Sequence, residues 1–301
     1  VEEKQLLAAL AEAGLPATAL APASLALPFD PTLPPVPLPP AAADLAHVTP
    51  LPVVVDRCAD RAVGAAVLPL WRALGVTTLD AGLAATGNRA AVAVALAPAG
   101  VPRPATRLVC SEAAALAALD QTGYPATLLP LAPDAAPVPL LDRDTAEAVL
   151  EHRAVLGGAS AVVALIQTGA PRADERITVM VVGGRTVAVA GDDAGPVRFA
   201  RLCAIAEAAA TAIGAAVAGV EIAMLPGGAV VWDIVPVPDF RGVVPIGRRG
   251  VAEAIAALAL GRFTAGAEVD RLIRVALSAG EGVGTAPGRR QGVSDGVALT
   301  A

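Results

Sequence analysis

Two short apolar runs on either side of a helical pattern constrain the fold of this chain more than any other feature. The run "LPVVVD" (51–56) is apolar up to its last residue and is typical of a parallel strand buried on both faces. A helical pattern over 61–74 ends at Gly75, and "VTTLD" (76–80) predicts a second strand. Strand, helix and strand at this spacing predict a small open parallel sheet.

The later part of the chain has a different pattern of predicted elements, in which helices alternate with antiparallel strands. The stretch "GYPATLLP" (123–130) predicts a buried strand entered by a turn. "ITVMVVGGRTVAVAG" (177–191) predicts a hairpin with a Gly-Gly turn, and two more strands are expected at 218–225 and 228–235. The predicted fold class is therefore α/β followed by α+β.

Composition argues against several classes of protein. Of the 301 residues, 55% are hydrophobic and 2% are aromatic, so the core is built mainly from small aliphatic side chains. The net charge of −6, with no basic patch, predicts that nucleic acid is not a partner. We find no signal peptide or membrane-spanning segment, and the three dispersed cysteines predict reduced thiols, so we expect a cytoplasmic protein.

Seven strings, met in the same order along the chain, resemble RimK-type ATP-grasp carboxylate–amine ligases. The likeness is greatest to the lysine-biosynthesis branch of that family, LysX. The strings are "VEEKQLLAALAEAGLP", "VVVDRCADRAVGAAVLPLWRALGV", "NRAAVAVALAPAGVPRPAT", "GYPATLLP", "AEAVLEHRAVLGG", "ITVMVVGGRTVAVA" and "VAGVEIAMLPGGAVVWDIVPVPDFRGVV". Each string is short, and it is their shared order that makes the resemblance specific.

The resemblance implies an ATP-grasp fold preceded by an open parallel α/β domain, the pre-ATP-grasp domain. We expect this domain over 1–86, a central ATP-grasp subdomain over 87–165, a C-terminal subdomain over 166–280 and a disordered tail over 281–301. In an α/β domain of this kind a strand precedes the helical pattern "VEEKQLLAALAEAGL" with which the sequence opens. We therefore expect an N-terminal truncation that removes this first strand.

The resemblance also implies an activity. Ligases of this family use ATP and Mg²⁺ to convert a carboxylate into an acyl phosphate, which an amine then attacks. The implied partner is a small acidic carrier protein or peptide, to which an amino acid is joined in lysine or arginine biosynthesis. The segment "PDFRG" stands at the family's substrate pocket, which makes Asp239 and Arg241 candidate substrate residues. Relatives commonly self-associate, so a homo-oligomer is expected by analogy.

Carried over residue by residue, the resemblance assigns four candidate residues to the cofactors. Arg89 stands at the first of two lysine positions that contact the nucleotide phosphates, and arginine keeps the charge there. Gln167 stands at the hinge that contacts adenine. Glu221 and Asp233 stand at positions whose oxygen atoms hold magnesium, and both keep a carboxylate.

The phosphate site nevertheless departs from the family pattern. The second lysine position is occupied by Leu129, which offers neither a donor nor a charge. The Gly-rich loop that should follow is "APDAAPVP" (132–139), in which prolines remove N–H donors and Asp134 repels phosphate. Lys4 is the only lysine in the sequence, so no neighbouring lysine can supply the missing group.

Two functions from different classes follow from these substitutions. In the first, the chain is a non-catalytic or regulatory homologue, a pseudoenzyme that pairs with itself or with an active paralogue. This hypothesis is favoured because the losses cluster at phosphate-contacting positions while the framework motifs remain. In the second, the chain is an active, divergent ATP- and Mg²⁺-dependent amino-acid ligase that works through Arg89, Glu221 and Asp233.

Overall fold

The structure is a computed structural model that describes residues 2–21, 53–157, 159–190, 196–280 and 297–300. In chain order the strands are β1 Ala17–Leu20, β2 Val53–Asp56, β3 Thr77–Leu79, β4 Thr106–Val109, β5 Ala126–Pro130, β6 Val138–Leu140, β7 Ala164–Thr168, β8 Arg176–Val182, β9 Arg185–Ala190, β10 Val217–Leu225, β11 Gly228–Val235, β12 Val244–Pro245 and β13 Val297–Thr300. The α-helices are α1 Glu2–Glu12, α2 Arg61–Ala73, α3 Leu83–Gly87, α4 Arg89–Leu96, α5 Glu112–Thr122, α6 Arg143–Gly157, α7 Pro196–Ile213 and α8 Val251–Gly280. None of the helices within these ranges combines the length and apolar character needed to cross a membrane.

The chain divides into two compact units. Unit 1 comprises Val1–Cys58, Ala66–Leu79 and Ala252–Ala301, and unit 2 comprises Ala59–Ala65 and Asp80–Val251. These two units are compact parts of the structure and do not test the subdomain boundaries that the resemblance implies. Those boundaries stay predictions.

Unit 1 is built on one parallel sheet with the strand order β1-β13-β2-β3. Each strand runs parallel to its neighbours. All four residues of β2 are buried, as its apolar run predicts, and α1 buries Leu6 and Leu10 at helical spacing. The small open parallel sheet predicted from the sequence is confirmed.

The end of the chain differs from its sequence-based expectation. Composition predicts a disordered tail over 281–301, but Val297–Thr300 form β13 in the middle of the parallel sheet. Residues 281–296 and 301 lie outside the described residues. The strand forms because a short apolar segment pairs with two strands that are distant in sequence, a partnership that local composition does not reveal.

Unit 2 contains two antiparallel sheets, of which the first has the strand order β4-β7-β5-β6. Residues of α5 and α6 pack with β5 and β7 in one apolar core. Every residue of β5 is buried, which confirms the strand predicted in "GYPATLLP". Helix α5 begins after Ser111, whose hydroxyl accepts a hydrogen bond from the backbone N–H of Ala114 at 3.2 Å.

The second sheet of unit 2 has the strand order β11-β10-β8-β9-β12. Its apolar face packs against α7 and α4. The predicted hairpin is confirmed: β8 and β9 are joined by Gly183 and Gly184, whose φ angles of 58° and 76° suit a tight turn. The two strands expected at 218–225 and 228–235 are also confirmed, and as β10 and β11 they pair antiparallel. Helix α8 continues from Val251 to Gly280, and no proline interrupts this segment.

Candidate functional site

A small cavity in unit 2 lies where α4, strands β5 and β7, and strand β11 come together. Arg89, Leu129, Gln167, Trp232 and Asp233 are among its lining residues. Its volume is about 40 Å³, which is room for a few water molecules at most. The cavity therefore brings together three of the residues that the sequence singled out, Arg89, Gln167 and Asp233.

Arg89 is the buried cation of this cavity, and only 5% of its surface is exposed. It is the first residue of α4, a helix that Asn88 caps by accepting the N–H of Ala90 at 2.8 Å. Its Nε donates to both carboxylate oxygens of Asp233 at 3.1 and 2.9 Å, and its Nη2 lies 2.8 Å from Oδ2. A two-pronged contact of this kind is the geometry in which arginine holds a carboxylate most firmly.

The rest of the Arg89 guanidinium holds the turn that follows β5. Nη1 donates to the backbone carbonyls of Pro130 at 2.9 Å, Ala132 at 2.7 Å and Ala135 at 2.9 Å. Nη2 donates to the carbonyl of Pro133 at 3.0 Å. An arginine side chain has five N–H donors, so all of them have an acceptor within the chain. Arg89 thus ties this turn to β11.

The position of the second expected lysine lies on the same side of the cavity. Leu129 is 2% exposed and sits in β5 opposite Leu165 of β7, another lining residue. In the turn that follows, the Asp134 carboxylate accepts the backbone N–H of Arg61 at 3.4 Å. Strand and turn therefore present an apolar side chain and carbonyl oxygens in the place where the resemblance expects phosphate donors.

The two candidate metal ligands face each other on neighbouring strands, with Glu221 of β10 directly opposite Asp233 of β11. Glu221 is bound by Arg176 of β8, whose Nη1 lies 2.6 Å from its carboxylate. Burial raises the pKa of Glu221, Arg176 opposes this rise, and the neighbouring Asp233 adds to it. Each carboxylate thus has its own arginine as the counter-charge.

Gln167 lies in β7 and is 5% exposed. Its Nε2 donates to the backbone carbonyl of Trp232 at 3.1 Å, and its Oε1 accepts the hydroxyl of Thr106 at 3.3 Å. The side chain therefore links β7 to β11 across the cavity, and both ends of its amide have a partner within the chain.

The two candidate substrate residues lie away from these groups. Asp239 and Arg241 form a bidentate ion pair with each other and are about half exposed. Neither lines the cavity. Phe240 between them is 7% exposed, so the segment is anchored by its aromatic side chain.

Sequence reasoning did not find the partners of these residues. Arg176 is the counter-ion of Glu221 because Glu221 lies opposite Thr178, two residues further along β8 on the same face. Once the strand register is known, this diagonal pairing could have been predicted. The acceptors of the other Arg89 hydrogen bonds are backbone carbonyls. Every residue has a backbone carbonyl, so the sequence could not have identified them.

No protein-family model matches the chain. A RimK domain ATP-grasp protein from Sphaerobacter thermophilus DSM 20745 superposes with a TM-score of 0.67 at 29% identity, over 86% of this chain and 95% of that one. The D-alanine–D-alanine ligase of Coxiella burnetii gives 0.54 at 13% identity, over 75% and 73% of the two chains. That of Bacillus anthracis gives 0.52 at 14% identity, over 71% and 79%.

The chain has the ATP-grasp fold. The ATP-grasp fold implies ATP and Mg²⁺, but the residues present do not fit either group. Every N–H of the Arg89 guanidinium is already taken by Asp233 or by carbonyl oxygens, and Leu129 has no donor to offer. In the part of the chain that the structure describes, no group of three or more His, Cys, Asp or Glu residues could hold a metal ion. The ATP-grasp scaffold is thus present, but the polar side chains of the candidate site are bound to other groups of the same chain.

Proposed function

We propose that this chain is a non-catalytic, regulatory homologue of RimK-type ATP-grasp ligases. The observation that carries the proposal is the set of contacts made by Arg89. This one side chain neutralises Asp233 and binds four carbonyl groups of the turn after β5. A nucleotide would need the donors of Arg89, and its metal ion would need the carboxylate of Asp233. Both groups are already bound to partners within the chain.

Free energies support this assignment. Withdrawing Arg89 from Asp233 leaves a buried carboxylate without its counter-charge, which costs about 3–5 kcal/mol. Each carbonyl group that is released but stays away from water costs about 1–3 kcal/mol more. A ligand that binds with micromolar affinity supplies roughly 8 kcal/mol in total. Opening the site would therefore consume most of the free energy that nucleotide binding normally provides.

Nucleotide binding tests the proposal directly. Calorimetry and thermal-shift measurements with ATP and Mg²⁺ at millimolar concentration should show no saturable heat and no rise in melting temperature. An active RimK-type ligase measured alongside is the positive control, and circular dichroism checks that the chain is folded. Saturable binding in the micromolar range would contradict the proposal and favour the active-ligase hypothesis.

A regulatory homologue needs a partner, and we propose either a second copy of the chain or an active paralogue. The retained framework supports this role, because the match to the RimK domain protein covers 86% of the chain. Light scattering after size-exclusion chromatography, with and without the paralogue from the same genome, should show a stable complex. A chain that stays monomeric under both conditions would contradict the regulatory role while leaving the nucleotide result unaffected.

A further inference from the structure

The sheet of unit 1 depends on a strand that comes from the far end of the chain. β13 lies between β1 and β2, and its first residue, Val297, is opposite Ala17 on one side and Val53 on the other. This register continues without a shift to Thr300. If β13 were removed, β1 and β2 would each present an open backbone edge at the centre of the sheet.

The elements on either side of β13 are also held by contacts that do not involve it. Arg57 follows β2, and its Nη2 donates to the Glu2 carboxylate at 2.6 Å. Both side chains are almost fully buried, at 4% and 11% exposure. Glu2 opens α1, which leads into β1, while β2 is paired on its other side with β3. The two strands that flank β13 thus have independent support.

From this geometry we propose that the gap between β1 and β2, here named the strand slot, is a binding site for an extended peptide, filled in cis by Val297–Thr300. The ligand is a strand of small apolar residues that runs parallel to both neighbours. Backbone N–H and C=O groups of β1 and β2 supply the affinity, as in other cases of strand addition. The inference concerns unit 1 and does not rest on the function proposed for the cavity.

The chemistry of the slot defines what it accepts. Val53, Val54 and Val55 of β2 are at most 1% exposed, so the positions opposite them, 297–299, have apolar neighbours on this side. A charged residue at these positions would lose hydration without an acidic or basic neighbour directly opposite on β2. Proline is excluded because a strand paired on both sides needs its N–H donors.

Peptide complementation tests the proposal. The chain lacking residues 297–301 is titrated into a fluorescently labelled peptide of residues 293–301, "VSDGVALTA", and anisotropy reports binding. We expect saturable one-to-one binding and a higher melting temperature of the truncated chain. The same peptide carrying Ala298→Pro is the matched control and should bind at least about 10-fold more weakly, because it lacks a backbone donor.

The intact chain supplies a second comparison. Its own strand is covalently part of the same chain and acts at an effective concentration on the order of millimolar. We therefore expect the free peptide to bind the intact chain at least about 100-fold more weakly than the truncated chain. Equal binding to both chains, or equal binding of both peptides, would overturn the proposal.

A truncated chain that fails to fold would not prevent the test. The intact chain carrying Leu299→Pro keeps its full length but weakens its own strand, and we expect it to bind the peptide where the unsubstituted chain does not. Absence of binding to this variant would overturn the proposal. Hydrogen exchange on the unsubstituted chain needs no variant. Amides of β13 that exchange as fast as those of the free peptide would overturn it as well.

Discussion

At the scale of single residues, position 89 shows how a change of cation alters what a site can bind. The resemblance expects lysine there, whose ammonium group is a compact charge with three donors. The planar fork of arginine instead reaches one carboxylate and several carbonyls at the same time. Arg89 makes these contacts with Asp233 and with the turn after β5. The positive charge is therefore present at position 89, but it is not available to a ligand.

Arg89→Ala should lower the free energy of unfolding by about 3–5 kcal/mol, because Asp233 would stay buried without its counter-charge. Urea denaturation measures this loss. Arg143→Ala is the matched control: Arg143 pairs with Asp120 and Glu147 but is 51% exposed, so its removal should cost no more than about 1 kcal/mol. Equal losses for the two variants would contradict the role assigned to Arg89.

Glu221→Gln should change how stability depends on pH. Burial raises the pKa of Glu221 above its ordinary value of 4.5 in the folded chain. The folded state therefore binds this proton more tightly than the unfolded state does. The resulting stability is full below the ordinary pKa and is lost as the pH rises through the higher folded-state pKa.

We therefore expect the unsubstituted chain to lose stability relative to Glu221→Gln as the pH rises through this window. Urea titrations of both proteins from about pH 4 to about pH 8 measure the difference. A difference that does not change with pH, or one that changes in the opposite direction, would show that the environment of Glu221 does not act in this way.

At the scale of elements, β5 and its following turn are part of the core at the place where the resemblance expects a phosphate site. The strand is buried along its whole length, and Leu129 and Leu165 place apolar side chains against the cavity. The turn then directs its carbonyl groups toward Arg89. Strand, turn and helix α4 thus form one connected structure in which each element satisfies the polar groups of another.

Leu129→Lys should destabilise the chain by at least about 2 kcal/mol, because an ammonium group would enter an apolar site with no acidic partner left to receive it. Leu129→Met keeps both volume and polarity, so it should cost less than about 1.5 kcal/mol. Thermal and urea denaturation compare the two variants. A lysine variant as stable as the methionine variant would mean that the strand retains space for a cation.

At the scale of the whole molecule, the internal contacts of the candidate site are spread over several elements. They join the guanidinium groups of α4 and β8, the carboxylates of β10 and β11, and four backbone carbonyls of β5 and its turn. Because these groups satisfy one another, replacing one of them removes a partner of the others but does not supply the remaining donors that a phosphate site needs. The fold is shared with RimK domain proteins, while the chemistry depends on this network of local contacts.

Neither Arg89→Lys nor Leu129→Lys alone should therefore restore binding of Mg²⁺ and ATP. A ligand present at 100 times its dissociation constant stabilises a protein by about 2.7 kcal/mol, which a thermal-shift measurement detects readily. We expect no such shift for either variant, with Leu129→Met as the control for the change at that position. A saturable shift in any single variant that remains folded would contradict the proposed network.

Much of the fold could be predicted from local sequence, because burial periodicity and turn residues act over a few neighbouring positions. The apolar run of β2, the buried strand β5 and the Gly-Gly hairpin of β8 and β9 are all of this kind. The ordered set of motifs extended these local signals to the ATP-grasp fold. The same local view failed for β13, whose partners lie far away in the sequence.

The sequence by itself determined which charged groups exist near the cleft: Arg89, Glu221 and Asp233 are present, and a lysine at position 129 is not. Only the tertiary structure decided what those groups contact. Arg89 meets Asp233 across 144 residues and meets Pro130 across 41. The reason is physical: a hydrogen-bonding group is available to a ligand only if the fold has not already given it a partner. Partners of this kind are set by long-range packing, which no local pattern encodes.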